Sequence, residues 1–136
     1  MTLIITPAYA GLLAILYFYL TLRVVMRRRG RRISIGTERA GKEDRDLLRA
    51  TRTRGNFAEY APFNLLLIGF AELMGAWPGL VHLLALTLLI GRVIHAIGLA
   101  REPDILPARI WGMYLTAAAM LGAALTCLVL SVSFWI

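Results

Sequence analysis

Four long apolar runs separated by short polar breaks make up most of this chain. Leu3 to Met26 is apolar apart from weakly polar positions until Arg23, and the runs Phe57 to Ala76, Leu80 to Ala100 and Ala108 to Trp135 follow. At about 1.5 Å of rise per residue, each run is long enough to cross a hydrocarbon core of roughly 30 Å. The pattern predicts helices over about 3–26, 44–76, 80–100 and 108–135. The second starts near Asp44 because the propensities turn helical from Glu43 onward. Between the first two helices, the stretch holding Gly30, Gly36 and Gly41 is expected as loop. Trp77-Pro78-Gly79 reads as a tight turn, and Arg101 to Pro107 as a loop bracketed by two prolines. The first run is followed by basic residues and not by a small-residue cleavage site, so a retained helix is expected there and not a removed signal peptide.

Composition supports lipid as the solvent. Only 17% of the 136 residues are charged, against about a quarter in a water-soluble domain. The length suits one domain, residues 1–136. The expected fold class is therefore all-α integral membrane, a four-transmembrane-helix bundle. The single cysteine, Cys127, lies in an apolar run and reads as a small packed or lipid-facing side chain.

Charge sets an orientation. Eleven of the fifteen Lys and Arg residues fall between Met26 and Gly55, opposed there by Glu38, Glu43, Asp44 and Asp46. The second break is uncharged, and the third carries Arg101 and Arg109. By the positive-inside rule, loops one and three face the cytoplasm and both termini face the other side. Trp77, Phe134 and Trp135 then fall at the outer interface, where amphipathic aromatics prefer to sit. The basic loop needs no more than this topology role, with contact to anionic headgroups worth about 1 kcal/mol per basic residue. A net charge of +7 is compatible with nucleic acid, but no nucleic-acid fold or interleaved aromatic platform accompanies it, so no such partner is expected.

Ionisable residues inside apolar runs are functional candidates by default. The densest set is RATRTRGNFAEYAP, Arg49 to Pro62. Arg52, Asn56 and Glu59 fall at i, i+4 and i+7 and share one helical face; Arg49 extends it toward the cytoplasm and Tyr60 flanks it. On the third helix Arg92 and His95 share a face, and Arg92 is the expected partner for Glu59. Pro62 is expected to free the carbonyl of Ala58 and bend the helix. Glu72, near the far end of the same helix, reads as interhelical polar glue or an outer-interface residue. Each such bond is worth about 0.6–2 kcal/mol. Glue is an equal reading for Glu59 and Arg92 taken alone. The gathering of Arg, Asn, Glu, Tyr and His near one membrane face favours a site. No Ser/His/Asp set, phosphate loop or metal-type spacing is present, so no metal is expected. Clustered positive charge suits an anionic, partly peptide-like ligand, and suits holding a thiol as thiolate. Lowering a thiol pKa by two units takes about 2.7 kcal/mol, within reach of one arginine in a poorly hydrated site.

The segment RTRGNFAEYAPFNLLLIGFAEL, Arg52 to Leu73, closely resembles the second-helix signature of the MAPEG family, the membrane-associated proteins in eicosanoid and glutathione metabolism. GRVIHAIGLA, Gly91 to Ala100, resembles the family's third helix, and ARIWGMYLT, Ala108 to Thr116, the start of its fourth. The likeness covers nearly the whole chain and is strongest to bacterial members. It implies a homotrimer of four-helix protomers in the bacterial inner membrane, with glutathione bound between subunits near the cytoplasmic face. Arg52, Asn56, Glu59 and Tyr60 fall on the family's glutathione-contacting positions, and Arg92 and His95 on helix-three positions lining the site. Arg109 matches the arginine that stabilises the glutathione thiolate, and Arg28 a helix-one arginine at the same site. One departure is Leu99, where several members carry a tyrosine.

The resulting expectation is a glutathione-dependent transferase or peroxidase acting on a lipophilic electrophile that enters from the bilayer. The alternatives are a noncatalytic lipid- or glutathione-binding membrane scaffold of the same fold, and a small transporter using Glu59, Arg92 and His95 as a polar path. The last lacks the internal repeat seen in many transporters.

Overall fold

The computed structural model describes residues 2–100 and 103–133. Arg101, Phe134 and Trp135, which entered the topology reading, lie outside the described residues. The order is α1 (Ile5–Arg31), a two-strand hairpin of β1 (Glu38–Arg39) and β2 (Lys42–Glu43), α2 (Arg45–Leu73), α3 (Pro78–Ala100) and α4 (Leu106–Ser133). The four expected helices are present with shifted ends. α1 runs on to Arg31 and so takes in Gly30, which was expected as loop. Its extension is held by acids on α2: Arg27 donates from Nε to Asp46 at 2.9 Å, and Arg31 pairs with both Asp46 and Asp44. The Arg27 hydrogen bond keeps the Asp46 carboxyl below the usual carboxylate range. Asp44 also caps α2, accepting from the Leu47 N–H at 2.9 Å.

The remaining loop turns tightly. Ala40 and Gly41 both adopt positive φ, the geometry of a type I′ hairpin turn. α2 stops at Leu73, short of Ala76, because Gly75 takes a left-handed conformation. α3 starts at Pro78 and α4 takes in Leu106 and Pro107; proline suits a first helical turn, where its missing N–H is not needed.

Three helices, α1, α3 and α4, are long and apolar enough to cross a membrane. α2 falls short of that standard, because Glu59, Asn64 and Glu72 interrupt its apolar half. It nevertheless packs against all three others. The shared core includes Leu13 and Leu20 of α1, Phe57, Ala61 and Ile68 of α2, Val81 and Leu88 of α3, and Ala119 and Ala123 of α4.

Two features fix the helices relative to each other. Glu72 is buried, and its carboxylate accepts the first N–H groups of α1, from Ile4 and Ile5 at 2.7 Å and Thr6 at 2.8 Å. It is the interhelical tie that its position suggested, and it answers donors that a helix start leaves without partners. Cys127 is likewise structural, donating from Sγ to the Leu67 carbonyl at 3.2 Å. The second feature is the α3–α4 contact. A methyl group on Gly112 would lie 2.6 Å from the His95 backbone nitrogen, and one on Gly98 would lie 2.7 Å from the Arg109 nitrogen. Only glycine permits so close an approach.

Two stability outcomes follow. Gly112→Ala loses about 1–3 kcal/mol in detergent unfolding because the main chains must separate, whereas Gly11→Ala, where an added methyl meets nothing within 4 Å, costs nothing. Glu72→Gln loses about 1.5–3 kcal/mol, the range for hydrogen bonds to a charged group; an unchanged unfolding midpoint would remove Glu72 from this role.

Candidate functional site

The N-terminal half of α2 turns its polar stripe toward the start of α4 and the end of α3. Between them lies an open groove of about 550 Å³, lined by Thr51, Arg52, Gly55, Asn56, Glu59, His95, Leu99 and Arg109. Helical phase explains the α2 contribution, since positions 52, 56 and 59 share a face and 51 and 55 adjoin it. The close packing at Gly98 and Gly112 explains the other wall, because it sets the α4 backbone directly against α3 and so brings Arg109 beside His95 and Leu99.

Arg92 lies behind the groove. It is 1% exposed. Its Nη2 donates to Asn56 Oδ1 at 2.6 Å and faces His95 Nδ1 at 3.4 Å, while Nη1 approaches the Met113 sulfur at 4.0 Å. Its guanidinium also lies over the rings of Phe57, at 5.7 Å, and Tyr60, at 5.9 Å. The expected Glu59–Arg92 pair is therefore replaced by Asn56–Arg92. Asn56 is one turn closer to the start of α2 and reaches the guanidinium, whereas Glu59 is exposed. An arginine only donates, so the His95 nitrogen facing it is the acceptor and Nε2 carries the ring proton. His95 thus serves the groove as a donor.

Of the eight residues singled out in the sequence, Arg52, Asn56, Glu59, His95 and Arg109 line the groove together. Arg92 supports it from within, and Tyr60 packs on Arg92. On this single protomer Arg28 lies apart from the groove, near Ser34 at the end of α1. Leu99 lines the wall. The sequence reading missed Asp104. Its carboxylate pairs with both Arg109 and Arg49, so it joins the start of α4 to the N-terminal part of α2. Its signal was weak: one acid, five residues before Arg109, in a loop whose path the sequence does not give.

Comparison with known proteins agrees with this architecture. Inner membrane protein YecN of Escherichia coli strain K12 is 33% identical over 94 residues, 69% of each chain. The protein of the same name from Escherichia coli O6:H1 strain CFT073 matches to the same extent. The model of the MAPEG family matches residues 6–129, which takes in every groove residue. With the family model matching most of the chain and part of every helix, the chain belongs to the MAPEG family and is an integral membrane protein.

Proposed function

We propose that this protein is a membrane-bound glutathione-dependent transferase or peroxidase acting on lipophilic electrophiles. The observation that carries this reading is the groove, where Arg52, Asn56, His95 and Arg109 converge from three helices beside Arg92, buried on Asn56 and two aromatic rings. Such a site offers donors and positive charge to a small anionic peptide. Asn56 and Arg52 bind and orient the ligand, Glu59 takes its ammonium group, and the His95 Nε2–H donates to it. Arg109 holds the thiol as thiolate for attack on an electrophile arriving through the bilayer. Arg92 and Tyr60 stiffen the back wall.

Arg52 and Glu59 are exposed on the single protomer. A charge facing hydrocarbon at the centre of a helix costs about 2.5–3.5 kcal/mol on insertion scales. A neighbouring copy that covers the α2 face reduces this cost, and the family resemblance supports a homotrimer as the assembly. α2 then crosses the membrane as a fourth span, shielded by the others. Loops one and three face the cytoplasm by the positive-inside rule, and the similarity to an inner membrane protein supports a bacterial inner membrane location.

Arg109→Ala lowers kcat/KM for conjugation of 1-chloro-2,4-dinitrobenzene or reduction of cumene hydroperoxide by about 100–1,000-fold. It abolishes the ultraviolet absorbance of bound thiolate while glutathione still binds. Wild-type protein that binds glutathione yet shows neither thiolate absorbance nor turnover with a broad electrophile panel rules out catalysis.

One observation favours the second reading, a noncatalytic holder of glutathione or lipid. The Asp104 carboxylate, shared with Arg49, already offsets part of the Arg109 charge. If Arg109 serves the thiolate, Asp104→Asn frees its charge and increases the thiolate fraction at neutral pH. A variant with unchanged thiolate absorbance, together with native mass spectrometry showing a retained lipid and no glutathione, supports the holder.

A further inference from the structure

The arginine run at the end of α1 is divided by helical phase into two sets with different surroundings. Arg27 and Arg31, one turn apart, face α2 and are taken up by Asp44 and Asp46. Arg28, Arg29 and Arg32 point away from those acids. With Val25, Ile33 and Ser34 they line a shallow, open surface depression of about 440 Å³. Its shape is built and not incidental. Arg32 adopts a left-handed conformation, with φ of 56°, that turns the chain back over the helix end. Ile33 is thereby buried against Val24, Leu47 and Ala50. The Arg28 Nη1 is held by the Ser34 carbonyl at 3.0 Å.

The end of a helix carries partial negative charge from unsatisfied carbonyls, which opposes anion binding. Here the Arg32 and Ile33 N–H groups cap the carbonyls of Arg29 and Arg28 at 3.2 and 3.1 Å. Three guanidinium groups then outweigh what remains. Depth completes the argument. The 27 residues of α1 extend about 40 Å, some 10 Å more than a hydrocarbon core. Exposed Leu22, Val25 and Met26 lie just below the arginines on the apolar portion. Acyl chains meet the apolar residues, and the headgroup layer meets the charges.

The geometry points to a binding site for the phosphodiester headgroup of an anionic phospholipid, formed by Arg28, Arg29 and Arg32 at the end of α1. The guanidinium groups take the phosphate oxygens, while Val25 and Met26 meet the upper acyl chain. On the same protomer this patch is separate from the groove lined by Arg52 and Arg109, and its test does not depend on the groove's ligand.

The test uses full-length protein in a neutral detergent, with native mass spectrometry after addition of phosphatidylglycerol and phosphatidylethanolamine of matched acyl chains. Wild-type protein retains phosphatidylglycerol in preference, and the preference falls about fivefold for each of Arg28→Gln, Arg29→Gln and Arg32→Gln, as expected at about 1 kcal/mol per basic residue. Unfolding midpoints without added lipid stay near wild type for Arg29→Gln and Arg32→Gln, which separates lost binding from lost folding. Equal retention of the two lipids by wild-type protein would overturn the proposal. So would a preference that survives the triple substitution, since the other basic residues then carry it. Inorganic phosphate that displaces phosphatidylglycerol at matched concentration would overturn the lipid assignment in favour of a free-anion site.

Discussion

Gly112 lies so close to the His95 main chain that a single methyl group there would sit 2.6 Å from it. This approach of two backbones is the constraint from which the groove follows. It places the first turns of α4 directly against the last turns of α3, so that Arg109 and His95 belong to one wall. In lipid, where apolar side chains gain little by leaving their surroundings, close backbone packing between small residues is what holds helices together. The wall of the site and the stability of the bundle therefore rest on the same contact.

Charge is handled differently at the two ends of the molecule. At one end, the Glu72 carboxylate is consumed by the start of α1, and its role is structural. At the other, positive charge is in excess, and the fold distributes it. Arg27 and Arg31 pair with α2 acids, Arg49 and Arg109 share Asp104, and Arg92 is buried on Asn56 and two aromatic rings. A buried guanidinium with neutral partners keeps its charge effective over short distances, because little water or counter-charge screens it. Asp104 has the opposite effect on Arg109. The two arginines thus differ in their surroundings, Arg92 resting on neutral groups and Arg109 sharing the single charge of Asp104 with Arg49.

Four apolar runs with polar breaks determined four helices, and the helical period alone placed Arg52, Asn56 and Glu59 on one face. Both are local consequences of hydropathy and of 3.6 residues per turn, so they were legible without coordinates. The same period on the third helix put Arg92 and His95 on one face, and family wording added Arg109, which periodicity on separate helices does not connect. What only the tertiary structure decided is partnership. Arg92 takes Asn56 in place of Glu59 because the facing position depends on where α3 crosses α2. Asp104 reaches both Arg49 and Arg109 because the start of α4 and the N-terminal part of α2 meet at one end of the bundle. Gly30 stays helical because acids on another helix hold the arginines around it. Each outcome is set by distances between segments far apart in sequence, which a pattern along one chain does not contain.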